Sequence, residues 1–223
     1  MNTDHQPGED LPPSPSIQNE LTRTITHSAG LLAVFAAVGT AALALTYSGT
    51  QSQIEANARA ALVRSLQQLV PADRYDNDMA MDTLQLSEPS LGNSPVTVYR
   101  ARKGGQPVAA VVTTVAPDGY AGNIALLVGV NADGQLAGVR VVTHKETPGL
   151  GDKIDVDRND WITRFTGKSL TNPSLDRWKV KKDGGAFDQF SGATITPRAV
   201  VGAVKRTLQY FEGHREALFA SPG

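Results

Sequence analysis

Between residues 25 and 47 the chain carries no Asp, Glu, Lys or Arg, and Leu31-Leu32-Ala33-Val34-Phe35-Ala36-Ala37-Val38 runs on into Ala41-Ala42-Leu43-Ala44-Leu45. At ~1.5 Å per residue, a helix of about 20 residues spans the core of a bilayer. A surface helix of a small soluble domain would show a polar stripe, whereas this run is apolar on every face. It is therefore expected to be a transmembrane helix whose partner is the lipid bilayer. A cleaved export signal is the rival reading, because Ala42-Leu43-Ala44 resembles a small-residue cleavage site. Against it stands the preceding tail, which is long and acidic (Asp4, Glu9, Asp10, Glu20) where such a signal has a short basic start. Arg23 marks one flank and Arg59 and Arg64 the other, so charge alone leaves the orientation open.

The flanks differ from each other. Ahead of the apolar run, Leu11-Pro12-Pro13-Ser14-Pro15 and the absence of basic residues before Arg23 predict a disordered tail. Behind it, Ile54, Ala58, Ala61, Leu62, Leu66 and Leu69 recur at helical spacing as far as Pro71. That pattern predicts an amphipathic helix that continues the anchor or packs on the following domain. With a net charge of -1, the chain has no electrostatic footprint for nucleic acid. Cysteine is absent, which removes disulfides, thiolate nucleophiles and iron–sulfur clusters. Any redox chemistry must come from a cofactor held by oxygen and nitrogen groups.

Residues 96–102, 107–114, 124–130 and 135–143 are rich in Val, Thr and Ile and are punctuated by Gly104-Gly105, Pro117-Asp118-Gly119 and Asn131-Ala132-Asp133-Gly134. This predicts an antiparallel meander. The last long element starts with Thr196 as expected N-cap and Pro197 at the first helical position, buries Val200, Val201, Val204, Leu208 and Phe211, and stops at Gly213. Strands followed by helices, without βαβ alternation, predict an α+β fold: one anchor helix, then a domain with an antiparallel sheet and flanking helices.

His5, His27, His144 and His214 are too scattered for a metal centre, and neither a P-loop nor a Gly-x-Ser-x-Gly motif is present. Two segments look chemically specialised. Glu146-Thr147-Pro148-Gly149-Leu150-Gly151 follows a strand, and its glycines and proline let backbone approach a flat ligand, although an ordinary turn has the same composition. Ser191-Gly192-Ala193-Thr194 precedes a helix, where free N–H groups and the helix dipole favour an anion. Thr194 is thus placed to bind a phosphate or to carry one covalently, and a plain capping turn is the competing reading.

Taken together, these segments resemble the covalent flavin-binding family of ion-pumping electron-transport complexes, in which a Ser/Thr-Gly-Ala-Thr motif holds FMN through a phosphoester to its final threonine. The resemblance is strongest to G subunits of Rnf-type complexes. It runs through Tyr75-Asp76-Asn77, the stretch from His144 through Thr147-Pro148-Gly149-Leu150-Gly151 to Ile154, Trp161-Ile162, and the stretch from Trp178 through Lys181-Lys182-Asp183-Gly184-Gly185 to Phe187. The C subunit of the sodium-translocating NADH:quinone reductase is the second reading, and a non-redox anchored scaffold or ligand-binding domain the third.

The resemblance implies FMN covalently attached to Thr194, with Ser191, Gly192, Ala193 and the loop Glu146, Thr147, Pro148, Gly149, Leu150, Gly151 as cofactor-binding residues. It implies one-electron transfer through FMN within a membrane complex that couples electron flow between reduced ferredoxin and NAD to ion movement, with the other subunits of that complex as partners. A flavin transferase would attach the cofactor. Asp188 either helps that enzyme recognise the site or bonds nearby backbone amides. The expected layout is a cytoplasmic disordered tail (1–24), a single span of the cell inner membrane (25–47), a helical linker and domain entry (48–95), an FMN-binding domain on the periplasmic side (96–213) and a C-terminal tail (214–223).

Overall fold

The structure, a computed structural model, describes residues 15–92 and 95–220. Residues 1–14, with most of the expected tail, and 221–223 lie outside the described residues. Helix α1 spans Pro15–Leu69, so 15–24 are helical rather than disordered. Once the apolar run has met the cost of nucleation, each added residue gains a hydrogen bond, and nothing between Pro15 and Arg23 breaks the helix.

The chain divides into two compact units at Asn57 and Ala58. In the first, Leu32, Phe35, Leu43 and Leu45 are each 68–73% exposed. So long an exposed apolar stretch is workable in lipid and a liability in water. Among the described residues one helix is long and apolar enough to cross a membrane.

The second unit is built on a five-stranded antiparallel meander in the order β1-β2-β3-β4-β5: β1 (Thr83–Leu86), β2 (Val96–Lys103), β3 (Gln106–Gly119), β4 (Gly122–Asn131) and β5 (Leu136–Thr143). β3 runs five residues past its expected end. Pro117, which cannot donate to a ladder, sits within a register shift between Ala116 and Gly119 and is absorbed there. The sheet is covered on both faces. Ala110, Val112, Leu126 and Val128 face the core with helix α2 (Ile195–Phe219), while Ala109, Val111 and Leu127 alternate with them and pack on Leu66, Leu69 and Val70 at the end of α1. The amphipathic stretch therefore both continues the anchor helix and packs on the domain.

Residues 144–194 contain only short 3-10 turns. An aromatic cluster holds them: Trp161 meets Phe165 edge-on at 5.3 Å, Phe165 stacks on Phe187 at 4.8 Å, and Trp178 lies 4.8 Å from Phe187. Such pairs are worth ~0.5–1.5 kcal/mol each beyond area burial.

Helix α2 does not stop at Gly213. Helical geometry breaks at His214 and resumes to Phe219, so most of the expected C-terminal tail is helix. Two contacts hold it there, one within the helix and one from far away in sequence. Phe219 packs edge-on against Phe211, and the Arg102 and Arg100 guanidiniums donate to the carbonyls of Phe219 (2.8 Å) and Ala220 (2.7 Å). Both arginines also bond Asp82, and Asn77 donates to Asp82 and to the Arg100 carbonyl.

Candidate functional site

Each specialised segment folds as a glycine turn. In the first, Leu150 N–H donates to the Thr147 carbonyl at 3.1 Å, with Pro148 and Gly149 as the central pair and Gly149 at φ +77°. Proline pre-sets the first corner and glycine accepts the left-handed second. In the second, Ala193 N–H donates to the Phe190 carbonyl at 3.1 Å, with Ser191 and Gly192 central and Gly192 at φ +79°. The chain then enters α2, with Thr194 as N-cap residue: its carbonyl accepts from Arg198 N–H at 3.3 Å, while its side chain makes no capping bond.

This corrects the expected cap. Thr196 lies inside the helix, 1% exposed, and its hydroxyl donates to Glu146 Oε2 rather than accepting from a helix amide as a cap would. Glu146 is itself buried, and its Oε1 accepts from Ala121 N–H at 3.0 Å at the tip of the β3–β4 hairpin. His144 orients the start of the loop by accepting the Glu146 N–H at Nδ1 (3.0 Å), while its Nε2 lies 2.9 Å from Asp155.

The two glycines of the loop are required for different reasons. A Cβ at Gly149 would meet nothing within 4 Å, so glycine is required there by φ alone. At Gly151 a Cβ would stand 2.8 Å from both Glu146 Oε2 and Thr196 Oγ1, so close approach is the constraint there.

Between the two turns lies a cleft of about 290 Å³. It brings together Glu146, Thr147, Leu150 and Gly151 from one wall and Gly192, Ala193 and Thr194 from the other. Ser191, Pro148 and Gly149 shape the turns without lining it. Tyr120, Ile195 and Thr196 line it as well and were not anticipated. The signal for Tyr120 was slight, a single aromatic between glycines at a hairpin tip, where it is 69% exposed.

A cluster of charged residues braces the approach to Thr194. Asp183 makes a two-point ion pair with Arg198 (2.7 and 2.8 Å), which holds the Asp183 carboxyl below its ordinary range and raises the guanidinium. Asp188 pairs with Lys181 (2.6 Å) and Arg164 (2.8 Å), and the Lys181 bond leads in lowering its carboxyl. Its side chain thus bonds cations, not the backbone amides that one reading foresaw. Its carbonyl accepts from Trp161 Nε1 at 2.8 Å, tying the flank of the turn to the aromatic cluster.

The site suits a mononucleotide. Its volume is near the lower end of the ~300–1,000 Å³ usual for ligand sites, so part of such a molecule would lie at the mouth. The amides at the start of a 25-residue helix suit the phosphate, and apolar Leu150, Ile195 and Tyr120 suit a flat ring.

Comparison with known proteins agrees with this geometry. Residues 119–209 match the family described as FMN-binding domain, and residues 18–69 match the RnfG N-terminal region. The chain is 49% identical to the G subunit of the ion-translocating oxidoreductase complex of Pseudoalteromonas atlantica, over 90% of this chain and 94% of that one. Proteins of the same name from Vibrio cholerae and Yersinia pestis are 47% and 49% identical, each over 86% of this chain and 92% of theirs.

Proposed function

Given that the chain belongs to the family of G subunits of ion-translocating oxidoreductase complexes, we propose that Thr194 carries its FMN as a phosphoester on Oγ. The protein is a membrane-anchored FMN subunit of such a complex and works with the complex's other subunits. The observation that carries the covalent reading is the state of Thr194. It stands at the N-terminus of α2 in the wall of the cleft with its hydroxyl outside any capping bond, while Thr196, the other hydroxyl of the first turn, is buried and committed to Glu146.

Bound FMN supplies the electron-transfer chemistry. The chain's own residues bind and orient it. Amides of the first turn of α2 neutralise the phosphate, Gly192 and Ala193 keep the turn clear of side-chain bulk, and Leu150, Ile195 and Tyr120 offer apolar surface to the ring. Ser191, Thr147, Pro148, Gly149 and Gly151 hold the two walls at their spacing. A flavin transferase attaches the cofactor, and Asp188, 40% exposed on the flank of the turn, is offered to it. The apolar helix and the family resemblance support a single pass through the cell inner membrane, with the flavin domain, residues 96–213, on the periplasmic side and electrons passing between ferredoxin and NAD in the complex.

The test is optical. Full-length protein purified from cells that possess the transferase should show a flavin spectrum that stays with the chain after denaturation and filtration. Colour that passes the filter would contradict the covalent reading.

A further inference from the structure

Glu146 stands out as a buried carboxylate, 4% exposed, that lines the cleft without a cationic partner. The acids that brace the site are paired, Asp183 with Arg198 and Asp188 with Lys181 and Arg164, whereas among the described residues no ion pair reaches Glu146. Two neutral donors hold it in place, the Ala121 amide on Oε1 and the Thr196 hydroxyl on Oε2. Its seat is kept open from both sides by missing side chains: a Cβ on Gly119 would stand 2.9 Å from Oε1, and one on Gly151 would stand 2.8 Å from Oε2. The loop, the hairpin tip and the start of α2 all converge on this one group.

We propose that Glu146 sets the electron affinity of the cleft, its uncompensated negative charge making bound flavin harder to reduce. The inference rests on the reading that FMN is held here. An electron entering the cleft adds negative charge beside a carboxylate that is shielded from water, where charges interact far more strongly than at the surface. The bonds from Ala121 and Thr196 keep that charge from swinging away. Glu146 is thus a positioning and potential-setting residue rather than a structural strap alone. A strap needs two hydrogen bonds at this place but no net charge, and glutamine would supply them, its Oε1 accepting from the Ala121 amide and its Nε2 donating to the Thr196 hydroxyl, whose proton then turns away.

The experiment is a reductive titration of full-length flavinylated protein in detergent, with dithionite as reductant, followed in the flavin absorbance. Glu146→Gln should move the midpoint potential to a more positive value, and the shift should persist at high salt, because a buried charge is poorly screened. Glu146→Asp, which keeps the charge, should stay near the parent. Asp118→Asn removes the same charge from the exposed end of β3 and should leave the potential unmoved. Glu146→Met combined with Thr196→Val, which removes the charge together with the hydroxyl that bonds it, should shift the potential in the same direction as Glu146→Gln and covers the case in which that variant fails to fold. An unmoved potential in Glu146→Gln or, failing its folding, in the double variant would overturn the proposal, as would an equal shift in Asp118→Asn. Absence of FMN mass from the parent's Thr194 peptide would instead refute the underlying reading of the site.

Discussion

The two ends of helix α2 are treated in opposite ways. At its C-terminal end the Phe219 and Ala220 carbonyls are bonded by Arg102 and Arg100, which share Asp82 beneath them. At its N-terminal end Thr194 makes no side-chain cap, and the first turn opens on the cleft. Every helix leaves about four N–H and four C=O groups without intrahelical partners. Here the carbonyl end is closed by the protein's own side chains, and the amide end has no side-chain cap from Thr194. On the proposed reading one end contributes stability and the other binding.

That contrast predicts a clean separation between variants. Asp82→Asn leaves two arginines facing each other, one with its side chain only 3% exposed, and should cost about 3–5 kcal/mol in urea unfolding of the full chain. The flavin content of the protein that remains folded should not change. Thr194→Ala should do the reverse. A capping threonine typically costs ~1 kcal/mol when lost, but Thr194 makes no such bond, so stability should stay within ~0.5 kcal/mol while covalent FMN disappears. Measured against parent chain that also lacks flavin, a substantial stability loss in Thr194→Ala would show that the hydroxyl caps after all.

The glycine pair of the 146–151 loop sharpens the same distinction. Gly151→Ala pushes a methyl against Glu146 and Thr196 and should cost about 1–3 kcal/mol, with a changed flavin spectrum. Gly149→Ala meets no neighbour and bears only the left-handed penalty of ~1–2 kcal/mol, with the spectrum closer to the parent's. Equal spectral effects would mean that both glycines face the ring.

The smallest effect concerns pH. Because the folded state lowers the Asp183 carboxyl, its pair with Arg198 contributes above the ordinary Asp value of ~3.9 and is lost as pH falls below it. The pair is exposed, so the contribution is small. The gap in melting temperature between parent and Arg198→Gln should therefore be constant from pH 7 to 5 and close at lower pH. A gap that widens on acidification would reverse the sign.

Much of this architecture is legible in the residues. The unbroken apolar run Ala109, Ala110, Val111 and Val112 marks a strand buried on both faces, and the Ser191-Gly192-Ala193-Thr194 turn shows in its glycine. What escapes is whatever depends on partners distant in sequence. Thr196, followed by Pro197, is the better cap on paper, yet Glu146, 50 residues away, takes its hydroxyl and the helix starts after Thr194. Gly213 reads as a stop, yet Arg100 and Arg102 receive the chain beyond it. Strand β1, Thr-Leu-Gln-Leu, is too short to announce itself and exists because Thr83 to Leu86 find β2. The aromatics Trp161, Phe165, Trp178 and Phe187 show no periodicity, because the segments that bear them are neither helix nor strand for long enough to impose one.

The central claim is that the N-terminus of α2 holds FMN through Thr194, and peptide mapping by mass spectrometry tests it most directly. Protein from cells possessing the transferase should carry the FMN mass on the fragment containing Thr194. Ser191→Ala and Thr196→Ala should keep at least part of it, Thr194→Ser should retain some modification, and Thr194→Ala should lose it entirely. FMN that stays covalently attached in Thr194→Ala, or maps to Ser191 or Thr196 in the parent, would contradict the assignment.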